Sequence, residues 1–310
     1  MRYTSLGTNC EETLSRDDIS PQAIVLSPLS YGFRKRQYLI MSHPCPEAPK
    51  PNWLQKHLLL TTISLLRRFC DHKGSVLMLT KNICVKYGSL HDPMEAQTMM
   101  FIAQRTNIPV PKVYMSFKHK GLTYLVMQRI QGHALGRGWQ QRTPESRAKL
   151  LASLKAHVAE MQELRAESPA ICSVNGGSLY DPRMPKATIR YGPFDDVHDF
   201  HDYLRDGIQD HDNHTPDVRK LIRLHNEKWE GPTFTHGDLS SINILARGDE
   251  IVGIVDWETA GWYPSYWEYT TACQVNPRNY FWRDEIDKFI HPDPEALEME
   301  RLRQRYFGDF

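Results

Sequence analysis

No stretch of this 310-residue chain is long and apolar enough to cross a bilayer. The most apolar run, 58–66, falls far short of the ~20 residues that a spanning helix needs. Lys56, His57, Arg67 and Arg68 flank it, so it reads as part of a buried or amphipathic helix. The first residues lack the apolar core of a secretory leader, which points to a cytoplasmic protein. The six cysteines, at 10, 45, 70, 84, 172 and 273, are scattered and show no CxxC spacing. That excludes a zinc ribbon and a disulfide-stapled secreted fold, and leaves reduced thiols. Neither sign of charge dominates: 38 Lys and Arg face 37 Asp and Glu, for a net charge of +1. A nucleic-acid or membrane partner has no electrostatic support from such a balance. The short run Arg34-Lys35-Arg36 reads as a solvated patch. Internal repeats and low-complexity tracts are absent. No GxSxG elbow is present, so Ser240 and Ser241 read as loop-shaping hydroxyls rather than nucleophiles.

What is present suffices for a sizeable core, since 40% of residues are hydrophobic. Residues 1–52 stand apart. Pro44, Pro46, Pro49 and Pro51 crowd their end and exclude a continuous helix. We expect an extension there, partly disordered, with one apolar patch at 38–41. A helix is predicted over 53–70, then a hairpin of strands 76–79 and 83–87. In the second strand Ile83, Val85 and Tyr87 share one face, and Cys84 and Lys86 the other. Asp92 and Pro93 announce a helix over 93–104. Two strands, 113–117 and 122–127, follow around Lys120-Gly121. Beyond Gly132 the pattern turns helical. Thr143-Pro144-Glu145 is a start signal, with Leu151, Leu154, Val158 and Met161 at helical spacing. Residues 175–185 read as an irregular loop. Val197, Phe200 and Leu204 mark a further helix, and 266–273 with a charged C-terminus complete the helical part. His198 and His201 share a helix face, yet no third ligand is spaced to make a zinc site.

The densest chemistry lies in 236–261. Residues 244–246 and 251–255 read as the strands of a hairpin that turns at 247–250. A hairpin brings its open ends together, so Asn243 and Asp256 are expected at one end. Asp238 sits in the loop that feeds it. An amide oxygen and a carboxylate converging in this way suit a hard cation such as Mg²⁺. A nearby second carboxylate can orient, or take the proton from, an attacking hydroxyl. These are the parts of phosphoryl transfer.

His236-Gly237-Asp238 with Asn243 resembles the catalytic loop of the aminoglycoside phosphotransferase and choline kinase-like family, and Asp256 stands where that family places a metal-binding Asp. Trp257-Glu258, Ala260-Gly261, Pro264 and Trp267-Glu268 resemble its fungal phosphotransferase-like branch. The resemblance implies an α+β, protein-kinase-like two-lobed fold, with a small mixed β-sheet N-lobe (53–130) and a mainly α-helical C-lobe (131–310). Strand Lys86 and helix Glu95 then form the pair that grips the nucleotide phosphates. By the same resemblance Met127 lines an adenine pocket, with the Gln128 carbonyl and the Ile130 N–H facing the purine edge. The catalytic residues are Asp238, Asn243 and Asp256, the metal ligands Asn243 and Asp256, and the cofactors ATP and Mg²⁺. His236 is expected to brace the loop. Glu258 is open between holding a metal and capping a turn.

The expected function is an ATP- and Mg²⁺-dependent phosphotransferase acting on a small-molecule hydroxyl. A pseudokinase serving as a nucleotide-binding or scaffolding module is the alternative, and a protein kinase a further one. The glycine-rich GxGxxG loop is missing, since only Gly74-Ser75 precedes the first strand, and no APE-like segment follows Asp256. Both gaps count against a protein kinase. The acceptor is expected against 175–205 and the C-terminal helices, where Asp284, Glu285 and Asp287 either attract a cationic acceptor or form a solvated face. No protein partner is indicated.

Overall fold

The computed structural model describes residues 45–184, 190–274 and 280–308. The arginine-rich run at 34–36, the apolar patch at 38–41, Cys10 and most of the expected extension lie outside them. Helix α1 (Trp53–Leu66) opens with a capping box between Asn52 and Gln55. It ends at Leu66, short of the expected end at residue 70. Residues before it lie on the sheet rather than apart from it: Ser116 N–H donates to the Pro49 carbonyl at 3.0 Å.

A five-stranded sheet follows, built from β1 (His72–Lys73), β2 (Val76–Leu77), β3 (Ile83–Gly88), β4 (Val113–His119) and β5 (Leu122–Gln128). Its order is β1-β2-β3-β5-β4. All pairings are antiparallel, where a mixed sheet was expected, because each connection is a tight turn except one. That exception carries α2 (Met94–Arg105). The alternation in β3 holds: Val85 packs with Ile63, Tyr124 and Val126, while Cys84 joins the main core on the other face. Lys86 is thereby aimed away from solvent, beside α2.

The remainder is mostly helical. After the short β6 (His133–Ala134), α3 (Pro144–Gln162) starts at Thr143, whose side chain accepts from Ser146 N–H. Leu150, Leu151, Leu154, Val158 and Met161 form its buried stripe. The segment read as an irregular loop holds a strand after all: β7 (Leu179–Tyr180) pairs with β8 (Arg190–Tyr191). Glycine and proline density hid it. Helix α4 (Val197–Leu204) comes next. Helix α5 (Pro216–His225) escaped the sequence reading, although Thr215 caps it and Pro216 stands in its first turn. Strand β9 (Thr233–Thr235) leads into the hairpin of β10 (Ile244–Arg247) and β11 (Glu250–Ile254), and β12 (Gly261–Tyr263) returns to pair with β9. Helices α6 (Trp267–Gln274), α7 (Tyr280–Ile286) and α8 (Pro294–Phe307) finish the fold. Among the described residues, no helix is long and apolar enough to cross a membrane.

His201 and His198 do not share a site. His198 is exposed, whereas His201 is wholly buried, stacked on His225 with ring centroids 4.3 Å apart. The neutral ring uses both nitrogens: Nδ1 meets the His225 carbonyl at 2.9 Å and Nε2 meets the Tyr266 hydroxyl at 2.7 Å. Burial pulls its pKa down to about 4. The unfolded chain takes up this proton near pH ~6.5, and the fold resists until near pH 4, so the stability involved is complete above that window and lost as pH falls through it. It amounts to about 3 kcal/mol. A His201→Gln variant is expected to lose less of its urea midpoint than the wild type between these two pH values. An unchanged acid slope would assign the sensitivity to other groups.

Candidate active site

The hairpin places Asn243 and Asp256 at its open end. Val255 N–H donates to the Asn243 carbonyl at 2.9 Å and closes it there, while Ile254 N–H ties the returning strand to the Pro109 carbonyl at 2.7 Å. Asp256 adopts a left-handed backbone, φ +68°, unusual for a residue with a side chain. That turn carries the chain sharply away from β11 into Trp257. The Asp256 carboxylate meets Lys86 Nζ at 2.5 Å.

Lys86 gathers three acids. Glu95 lies 2.9 Å away and Glu258 3.1 Å, and the lysine side chain is only 6% exposed. Burial alone would discharge this ammonium, but the carboxylates outweigh it and hold its pKa above the ordinary value. Three acids around one base leave an excess of negative charge, and Glu95, the most buried, carries that excess worst. Burial pushes its pKa up to about 7 despite Lys86, with Asp256 and Glu258 adding to the rise. Asp256 goes the other way: burial raises it, and Lys86 more than reverses the effect. Glu258 also meets His91 Nδ1 at 3.1 Å, so it faces the cluster.

Asp238 sits half-buried in the feeding loop. Desolvation raises its pKa, against the nearby Arg183 guanidinium. Asn243 Nδ2 donates to the Asp238 carbonyl at 3.0 Å, which fixes the amide plane. His236 braces as expected. Its Nε2 meets the Val255 carbonyl at 3.1 Å, its Nδ1 accepts from Asp238 N–H at 3.1 Å, and burial lowers its pKa to about 4. Such a ring is neutral and fully engaged, unsuited to shuttling protons.

Residues that the sequence reading did not assign complete the loop. Glu268, buried on α6, accepts from the His236 and Gly237 backbone N–H groups at 2.6 and 3.2 Å. Burial raises its pKa to about 7, and those two donors restrain it. Arg183 donates to the Gly237 carbonyl at 2.7 Å. The only available signals were Glu268 beside a tryptophan and Arg183 in a proline-rich stretch, neither distinctive.

Met127 is buried at the end of β5. The Gln128 backbone N–H donates to the Lys112 carbonyl at 2.9 Å, and its side-chain oxygen accepts from Lys112 N–H at 3.3 Å. Ile130, half-buried, follows, and its N–H has no hydrogen-bond partner among the described residues. Of the acids at 284, 285 and 287, read as either attracting an acceptor or forming a solvated face, Asp284 and Asp287 are exposed and Glu285 is not. Glu285 is buried against Trp139 Nε1 at 3.2 Å, and Asp287 accepts from the Tyr269 hydroxyl at 3.1 Å. Glu285 is committed to packing because α7 turns it inward, whereas Asp284 and Asp287 stay exposed.

Comparison with known proteins gives this geometry a lineage. The profile of the phosphotransferase enzyme family matches residues 91–306, from the loop before α2 to the last turns of α8. The chain belongs to that family. Its fold is similar to that of a thermostable mutant of aminoglycoside phosphotransferase APH(4)-Ia in the apo form, with a TM-score of 0.50 and 18% identity, covering 78% of this chain and 86% of that one. The gentamicin complex of APH(2")-IIa matches with a TM-score of 0.49 and 12% identity over 83% and 87% of the two chains. Aminoglycoside-3'-phosphotransferase of type VIII matches with a TM-score of 0.49 and 16% identity over 81% and 99%. Among curated proteins, the sequence has no significant match. At these identities the likeness to the solved structures is one of fold, and membership of the family rests on the profile.

Proposed function

We propose that this phosphotransferase moves the terminal phosphoryl group of ATP, with Mg²⁺, to a hydroxyl of a small molecule. The observation that carries the reading is the convergence of Lys86, Glu95 and Asp256, from a strand, a helix and a hairpin, beside Asp238. In it Lys86 neutralises nucleotide phosphates and Glu95 holds the lysine. Met127, Gln128 and Ile130 receive the adenine, with the Ile130 N–H available to a purine edge. Asp238 orients the acceptor hydroxyl and draws its proton. The donor set suits Mg²⁺. Asn243 spends its Nδ2 on Asp238, which leaves its oxygen as a ligand, and the Asp256 carboxylate supplies the second hard oxygen. When bound, such an ion neutralises charge on the phosphate oxygens.

Structures of family relatives hold ADP with hygromycin B, and ATP with streptomycin, in aminoglycoside phosphotransferases. They support a nucleotide and a hydroxylated acceptor here without naming the acceptor. The spelling around Trp257-Glu258 supports placement in the fungal branch, and the five described cysteines, all free, support a cytoplasmic setting.

Calorimetry of ATP binding with and without Mg²⁺, comparing wild type with Asp256→Ala, tests the reading. Magnesium-dependent binding is expected in the wild type and its loss, about tenfold or more, in the variant. No binding to folded wild type would overturn the proposal. Binding without turnover across many hydroxyl acceptors would move the protein to the pseudokinase alternative.

A further inference from the structure

We propose that Arg183, fixed by Asp181, is a positioning residue for Asp238. The inference rests on the phosphotransferase reading above and extends it to a residue pair outside the catalytic loop. Asp181 has a side chain only 2% exposed. It accepts from Arg183 Nε at 2.8 Å and from Nη2 at 2.7 Å, and from the Arg183 backbone N–H at 2.9 Å. A bidentate fork of this kind sets the guanidinium plane as well as its position. The same Nη2 also donates to the Gly237 carbonyl at 2.7 Å.

That carbonyl belongs to the peptide joining Gly237 to Asp238. The N–H of this peptide is also engaged, donating to His236 Nδ1 at 3.1 Å. Both polar groups of the linkage leading into Asp238 are therefore held, one by the core and one by Arg183. The loop has no slack to compensate for a lost contact. Gly237 has φ +77°, and a Cβ there would stand 3.1 Å from the Thr259 carbonyl oxygen. Arg183 also bears on Asp238 through its charge. The groups facing that carboxylate are Arg183 from the segment after β7, Ser240 and Asn243 from its own loop, Asp256 from the end of β11 and Glu268 from α6. Arg183 is the cation among them. It favours the ionised carboxylate, against burial and against Asp256.

The segment bearing the pair is anchored on its other side as well. The Tyr180 hydroxyl donates to the Leu90 carbonyl, and Arg190 pairs with Asp92 while its Nη2 donates to the Ser178 carbonyl at 2.8 Å. Leu90 and Asp92 lie in the connection that leads to α2 and Glu95. One short hairpin thus touches the approach to the lysine partner and the peptide before Asp238.

The test has two readouts. The first needs no substrate: a double-mutant cycle between Arg183→Met and Asp238→Asn, read as urea midpoints. Expected is a coupling between the two sites, and its absence overturns the proposal. The second is Mg²⁺-ATP hydrolysis with water as acceptor. Arg183→Met should lower kcat by about tenfold to a hundredfold with little change in KM for ATP. Arg183→Lys, which keeps the charge but not the fork, should recover only part of that rate, and it serves should the Met variant fail to fold. An unchanged kcat in a folded variant also overturns the proposal. A wild type that hydrolyses no ATP would count against the phosphotransferase reading, and the coupling would still decide Arg183.

Discussion

Phosphoryl transfer by an Asp238→Asn variant is expected to fall by about a thousandfold, while Mg²⁺-ATP binding stays within a few-fold of the wild type. The asymmetry follows from where Asp238 stands. It is held by Asn243 within its own loop and does not belong to the Lys86 cluster. An asparagine is close in shape and keeps a hydrogen-bonding oxygen, so the loop persists. On the proposed mechanism, what it loses is the capacity to accept the acceptor's proton and the negative charge that orients the hydroxyl. A thousandfold corresponds to about 4 kcal/mol of barrier. The pH profile supplies a second check. Desolvation raises the Asp238 pKa above the ordinary carboxylate value, so the wild-type rate should fall on the acid side earlier than a solvent-exposed aspartate would predict. Single-turnover assays with a competent acceptor measure both. Wild-type turnover in the variant would remove Asp238 from the chemistry.

A Lys86→Met variant should lose nucleotide affinity and about 3–5 kcal/mol of stability, the usual consequence of removing one partner from a buried ionic cluster. Methionine fills much of the same volume, so packing contributes little to that loss. Its origin is Glu95, Asp256 and Glu258, left together without their cation. The loss depends on pH in a definite sense. Glu95 already has a pKa raised to about 7, and without Lys86 it rises further. A carboxylate with a raised folded pKa destabilises as pH climbs through that value and ceases to do so once protonated. The gap between variant and wild type should therefore be widest near pH 8 and narrow toward pH 5. Urea denaturation at the two values decides it. A gap independent of pH would show that shape, rather than charge, had been lost.

The sequence made the centre of the site legible because its residues are spaced by local geometry. Asp238, Asn243 and Asp256 occupy one loop and one hairpin, whose register follows from a short turn. Lys86 and Glu95 sit on adjacent elements with clear periodicity. Glu268 and Arg183 were not legible. Each reaches the catalytic loop across the fold, and nothing near either in sequence marks it as a partner of Gly237. Helix α5 was missed although its cap and its proline were present, since its apolar positions are interleaved with Arg219, Lys220 and Arg223. Of the acids at 284, 285 and 287, only Glu285 departs from a solvated face: Asp284 and Asp287 are exposed, and only tertiary packing reveals that α7 turns Glu285 toward Trp139.

The separation of the partners of Lys86 along the chain bears on synthesis. Glu95 leaves the ribosome almost together with Lys86, whereas Asp256 and Glu258 emerge about 170 residues later. The nascent sheet therefore carries a balanced couple, one cation against one anion, throughout the interval in which the helical portion is still being made. The two late acids then tip that couple toward negative charge. In a fragment ending before Asp256, Lys86 would answer to Glu95 alone, and completion of the chain is what sets three acids around it.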